Sequence, residues 1–194
     1  MQTIDQIFQA QIEIKKSTFL SYLCPFKDFK NLLVNLKKEH PKAVHFVYAY
    51  RTLNEYNQII EDKSDDGEPK GTSGIPSLNV LRGYDLVNTA VITVRYFGGT
   101  KLGTGGLVRA YSDAANAAIN NASLLTFEFK KNIKIAIDFK NLNRFEHFLR
   151  THSLEFERDF KNEKVILSLN LNEEEEQKFE IFCAQFTPFE IEKL

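Results

Sequence analysis

Glycine is missing from the first 66 residues and the last 88 of this 194-residue chain; all nine glycines fall between Gly67 and Gly106. Irregular backbone with positive φ, or close approach of backbone to a partner, is therefore concentrated in one window. Cysteine is scarce as well. Cys24 and Cys183 stand far apart, with no CxxC pair and no histidine at ligand spacing, which excludes a zinc site or a disulfide framework and leaves both as small buried hydrophobes. The N-terminal segment MQTIDQIFQAQIEIKKS carries Asp5 and lacks an apolar core of signal-peptide length. No run approaches the ~18 apolar residues of a membrane span, so a cytoplasmic protein without membrane contact is expected. Excess charge is absent too: the net is −1, with 14 Lys and Arg against 12 Asp and Glu over residues 1–126 and 11 against 14 beyond. This excludes a basic nucleic-acid clamp and gives no reason to expect reading of DNA sequence. Any RNA-binding surface must be a local patch of Lys and Arg that neutralises phosphates.

What is present is ample for packing: 43% of the residues are hydrophobic and 12% aromatic. Two halves follow different patterns. From Phe127 onward, alternation over Phe129–Phe139, helical spacing of Leu142, Phe145, Phe148 and Leu149, and alternation over Leu154–Phe160 and Lys164–Leu171 succeed one another. The turn between the last two strands falls on Lys161–Asn162–Glu163. Asn172 caps a helix whose first turn is Glu173–Glu176, acids that complement the helix dipole. A short strand Phe189–Ile191 follows Pro188, giving the order βαββαβ, a ferredoxin-like sandwich. The first half reads as mixed strands and helices. Strands fall on Gln11–Lys15, Phe19–Leu23, Val44–Arg51, Tyr56–Ile60 and Thr89–Phe97, and helices on Phe26–Glu39, Pro76–Tyr84 and Gly106–Ala122. The expected fold is α+β in two domains, residues 1–125 and 126–194.

Five glycines occupy nine positions in Gly98–Gly106, just before a helical pattern. This is not a P-loop, because Thr104 follows Gly103 where lysine is required, and not a dinucleotide fingerprint, because the third glycine would fall on Val108. It reads instead as a nest of backbone N–H groups at a helix N-terminus, suited to an anion. Period two puts Arg95 on the strand face shared by Val91 and Thr93. Arg95, Lys101 and Arg109 are expected to converge around Gly98, Gly99, Gly103, Gly105 and Gly106 as a phosphate or RNA site. Side chains should be poorly tolerated at Gly103, Gly105 and Gly106. A second cluster, Asp65, Asp66 and Glu68, is shaped by Gly67 and Pro69; it is either a site for Mg²⁺ or an ordinary acidic turn. The polar stretch Lys63–Thr72 is expected to be mobile without its partner. His45 and Arg51 are accessory candidates. No nucleophile elbow, HExxH or other spaced catalytic motif occurs, so catalysis is not expected and no cofactor is called for.

The motifs IKKSTF (14–19), AVHFVYAYR (43–51), DDGEPKGTSGIP (65–76) and VRYFGGTKLGTGGLVRAY (94–111) resemble the IMPACT family in its bacterial YigZ-like form. The resemblance implies a first domain similar to the second domain of a small-subunit ribosomal protein, then a ferredoxin-like domain, an order similar to the C-terminal half of translation elongation factor G. It implies translational control, with the ribosome, structured RNA or a translation factor as partner. Ser73 stands where family members commonly have alanine, and Lys101 where an apolar residue is frequent. The alternative function is a small-molecule enzyme or sensor, with a phosphate-binding loop like that of the GHMP kinases. Nothing in the pattern specifies an oligomeric state.

Overall fold

The computed structural model describes residues 1–161, 164–187 and 190–193, arranged as two compact units, Met1–Phe127 and Glu128–Leu194. Both combine sheets with helices, so the chain is α+β.

The first unit is built on a five-stranded antiparallel sheet. Its strands are β2 (Phe8–Ile14), β3 (Ser17–Pro25), β4 (His45–Leu53), β5 (Ile59–Ser64) and β6 (Thr89–Tyr96), in the order β2-β3-β6-β4-β5. Two short strands, β1 (Gln2–Thr3) and β7 (Leu125–Thr126), pair with each other and tie the ends of the unit together. Central β6 is buried on both faces, which is why TAVITVRY reads as a nearly continuous apolar run. Its Ala90, Ile92 and Val94 pack with Phe29 and Leu36 of helix α1 (Phe29–Glu39). The opposite face is covered by α2 (Gly74–Gly83) and α3 (Thr104–Asn120). In α3 the small residues Ala110, Ala114, Ala115 and Ala118 are fully buried, so the helix axis can approach the sheet closely.

Among the boundaries that differ from the sequence reading, three bear on the first unit's hairpins and on the glycine loop. The first hairpin is longer, because Lys15 and Lys16 (φ 48° and 66°) form a two-residue turn that sets Ile14 opposite Ser17. The strand expected at Tyr56–Ile60 starts at Ile59: the Asn54 side chain accepts hydrogen bonds from Tyr56 N and Gln58 N, both at 2.9 Å, and holds Tyr56 in the turn. Helix α3 begins at Thr104 rather than at Gly106.

The second unit runs β8 (Lys131–Asp138), α4 (Leu142–Thr151), β9 (Phe156–Lys161), β10 (Lys164–Leu171), α5 (Glu173–Cys183) and β11 (Ile191–Lys193). The antiparallel sheet order is β11-β8-β10-β9. Register opposes Ile135 to Leu167 and Ile137 to Val165, giving an apolar face that buries Phe145, Leu149, Phe179 and Phe182. At α5 a capping box forms: Asn172 Oδ1 accepts from Glu175 N at 2.8 Å and Glu175 Oε2 accepts from Asn172 N at 2.9 Å. The expected turn at Asn162–Glu163, and Pro188 and Phe189 before the last strand, lie outside the described residues.

Candidate anion-binding pocket

The acidic segment is a structural turn whose ends face two different tasks. Glu68 N donates to Asp65 O at 2.9 Å, and the two residues between, Asp66 (φ 42°) and Gly67 (φ 88°), both take positive φ, the pattern of a type I′ turn. Asp65 turns towards the start of α2. It accepts from Gly71 N (2.7 Å), Ser73 N (3.2 Å), Ser73 Oγ (2.7 Å) and Gly74 N (2.8 Å). It thereby caps a helix that Ser73, its adjacent residue, does not cap. Burial pushes the Asp65 carboxyl up, but the bonds from Gly71, Gly74 and Ser73 outweigh it and hold the group below its ordinary value. Asp66 Oδ2 accepts from Phe46 N at 2.6 Å. Each carboxylate is thus committed elsewhere, and among the described residues no group of three or more His, Cys, Asp and Glu is placed to hold a metal ion. In the Lys63–Thr72 segment, Lys63 and Ser64 belong to β5, Glu68 and Thr72 are buried, and the segment is held through hydrogen bonds to Asp65 and Asp66 more than through apolar contacts.

Glu68 points the other way, under the sheet. Phe19, Arg95 and His45 lie opposite one another across β3, β6 and β4 and form one row on the α3 side. Arg95 is only 5% exposed, and its Nη1 donates to Glu68 Oε1 at 2.5 Å. The same oxygen accepts from the Tyr111 hydroxyl at 2.8 Å. Burial, then Glu68, raises the Tyr111 hydroxyl far above the phenol range, so it remains a donor. His45 Nδ1 lies 2.7 Å from Asp66 O. A carbonyl only accepts, so Nδ1 carries the proton, and in the neutral ring Nε2 is an acceptor, 3.8 Å from Glu68 Oε2. The Arg95 guanidinium lies 5.4 Å from the Phe19 ring centroid and 5.7 Å from that of Phe97. Its Nε has no hydrogen-bond partner among the described residues.

The glycine loop closes over this row. Gly98 is required by close approach: a Cβ there would stand 2.0 Å from the carbonyl carbon of Lys16. The Gly98 N–H is spent on Ser17 Oγ at 3.1 Å. Gly99 (φ 85°) and Gly103 (φ 75°) take the left-handed region, whereas Gly105 and Gly106 lie inside α3 without positive φ. The expected intolerance is corrected at Gly105, where a Cβ meets nothing within 4 Å, whereas one on Gly106 would stand 3.1 Å from Leu102 Cβ, closer than side chains ordinarily pack. The first intrahelical bond of α3 is Leu107 N to Gly103 O (2.9 Å), so the N–H groups of Thr104, Gly105 and Gly106 precede it, and no side chain caps them.

Together these elements line a half-open cavity of about 410 Å³, bounded by residues that include His45, Glu68, Arg95, Phe97, Lys101, Gly103 and Thr104. Arg95 and Lys101 come together as expected, but in different states: Arg95 is paired in the floor, and Lys101 is exposed. Arg109 is exposed on α3 and does not line the cavity. One helical turn along α3 carries it past the pocket. Arg51 sits at the far end of β4, opposite Thr89, with Nε on Glu61 (2.9 Å) and Nη1 on Leu86 O (2.9 Å), a structural role away from the pocket. Sequence reasoning missed Tyr111 and Ser17 as members of the network, and the Lys15–Lys16 turn that lies against Gly98. The Lys15–Lys16 turn carried no signal in the sequence, because a type I′ turn favours Asn-Gly and two lysines do not announce one.

Residues 15–119, which span the whole of this pocket, match the family model described as the Impact N-terminal domain. The chain belongs to the IMPACT family. IMPACT family member YvyE of Bacillus subtilis is 30% identical over 188 residues, covering 95% of this chain and 86% of that one. IMPACT family member YigZ of Escherichia coli is 39% identical over 110 residues, covering 55% and 54%. A crystal structure of a hypothetical protein matches 100% of this chain and 95% of its own at a TM-score of 0.71 and 27% identity. Among the described residues, no helix of this IMPACT family member is long and apolar enough to cross a membrane.

Proposed function

We propose that this protein is a translation-associated binding protein that engages the ribosome or structured RNA through phosphate held at the mouth of the pocket. The observation that carries the reading is the start of α3: the N–H groups of Thr104, Gly105 and Gly106, without a hydrogen-bond partner among the described residues, stand at the positive end of a 17-residue helix, and Gly103 and Thr104 there line a cavity that Lys101 also lines. Glycine at positions 105 and 106 leaves those amides uncovered by side chains. Arg95, neutralised by Glu68, serves as the floor of the site, and Lys101 supplies the attracting charge. The element order and strand order of the second unit support a ferredoxin-like sandwich. The first unit is read as the ribosomal-protein domain it resembles by motif. With that order of domains, a ribosomal setting fits both units.

A cavity of about 410 Å³ is also within the ~300–1,000 Å³ range of small-ligand sites, which favours a small-molecule sensor or enzyme as the second reading. Co-sedimentation with ribosomes at low salt tests the two. The first reading expects wild-type protein in the pellet and a several-fold loss with Lys101→Ala. Wild type that stays in the supernatant, but is stabilised thermally by a phosphorylated metabolite, gives the site to the second reading, since a ligand of the native state adds ~2.7 kcal/mol at a hundred times its dissociation constant.

A further inference from the structure

We infer that the pocket seats one unstacked ribonucleotide, with its phosphate at the start of α3 and its base on the ring of Phe97. The inference rests on the phosphate reading above and adds the chemistry of the rest of the ligand. Phe97 follows the end of β6 on the same face as Arg95, and it lines the cavity while 49% exposed. The ring is held from behind: the guanidinium between Phe97 and Phe19 is itself fixed by Glu68. Every base has a π-face, so such a platform accepts any of them.

Two acceptors share the cavity with that platform. Glu68 Oε2 forms no hydrogen bond among the described residues, and in the neutral ring of His45, with Nδ1–H given to Asp66 O, Nε2 is a second acceptor. Acceptors next to an anion seat match the hydroxyl donors of ribose. Arg95, nine-tenths buried in the floor of the cavity, keeps its Nε–H without an acceptor among the described residues, and this donor is the second polar group that a ligand would satisfy. A paired duplex buries its base faces in its own stack and offers none to Phe97. The ligand is therefore a single nucleotide, either free or splayed from an RNA strand.

Calorimetric titration of the full chain with AMP, ribose 5-phosphate, dAMP, inorganic phosphate, a five-nucleotide adenine RNA and a short RNA duplex tests this. AMP should bind more tightly than ribose 5-phosphate by about 5- to 150-fold, the usual range for stacking one base. Phe97→Leu should bring AMP down to the ribose 5-phosphate level and leave ribose 5-phosphate unchanged, Phe97→Tyr should keep AMP binding, and dAMP should bind more weakly than AMP. Oligonucleotide affinity at least about tenfold above AMP would mark an RNA strand as the source, and equal affinity a free nucleotide; both support the inference. Equal binding of AMP and ribose 5-phosphate, preference for the duplex, or indifference to Phe97→Leu would overturn it. If Lys101→Ala still weakened every probe in that case, the phosphate reading would stand alone. Failure of all probes to bind folded protein would remove both.

Discussion

Removing the Glu68 side chain tests the floor of the pocket. Arg95 and Glu68 are 6% and 3% exposed at their side chains, so Glu68→Ala leaves a buried guanidinium with no carboxylate and a buried Tyr111 hydroxyl with no acceptor. Breaking a buried pair from one side costs ~3–5 kcal/mol. Glu68→Gln keeps an oxygen that accepts from Arg95 and Tyr111 but loses the charge, and the difference between charged and neutral hydrogen bonds puts its cost at ~1–2 kcal/mol. Replacing both partners, Glu68→Leu with Arg95→Met, removes the desolvation penalty together with the attraction, leaves only the Tyr111 hydroxyl unpaired, and should fall within ~3 kcal/mol of wild type, well short of the sum of the single changes. The assay is built into the chain. It has no tryptophan, and all seven tyrosines lie within Met1–Phe127, so tyrosine fluorescence during urea unfolding reports on the first unit alone. For a unit of this size each kcal/mol corresponds to ~4 °C in Tm, which makes Glu68→Ala a shift of roughly 12–20 °C. A single change of less than ~0.5 kcal/mol, or a double variant as unstable as the summed singles, would refute a buried and mutually dependent pair.

Further outcomes follow from local geometry. Gly98→Ala should destabilise the first unit strongly, because its Cβ would overlap the Lys16 backbone, whereas Gly105→Ala should be neutral or stabilise by up to ~1 kcal/mol, as Gly to Ala does in an open helical position; urea midpoints decide. Replacing Lys15–Lys16 by Asn-Gly relieves two left-handed lysines and should stabilise by ~1 kcal/mol, read in the same way; a loss of stability would mean the lysines hold the turn through contacts of their own. Asp65 has its carboxyl depressed in the folded state, so the stability it adds is complete above its ordinary value of 3.8 and is lost as pH falls through the folded value. Asp65→Asn should therefore destabilise at neutral pH by ~1–3 kcal/mol and flatten the acid limb of the stability profile, and an unchanged acid limb would count against the cap.

Much of this fold was legible. Period two put Arg95 on the β6 face shared by Val91 and Thr93, and Val91 does join a different core from Ala90, Ile92 and Val94 on the other face. Glutamates after Asn172 announced a helix start. What period two could not tell was how deep Arg95 lies: an arginine on a strand face reads as an exposed cation until its partner is known, and Glu68 is separated from it by 27 residues within a polar stretch. The same stretch hid the role of Asp65, whose hydrogen bonds reach forward to the start of α2, beyond any local capping pattern. Glycines read alike in sequence for different physical causes: Gly98 for backbone contact, Gly103 for positive φ, Gly105 for an uncovered helix start. Only coordinates separate those causes, because each depends on what lies opposite.

The most direct test of phosphate binding at the start of α3 is the salt dependence of affinity for structured RNA, with wild type and Lys101→Ala measured across a range of salt concentrations. Lys101 is exposed, so the variant remains folded, and loss of one phosphate contact should flatten the slope of log affinity against log salt by roughly 0.7–1 while weakening binding at each concentration. An unchanged slope and affinity in the folded variant would contradict the site.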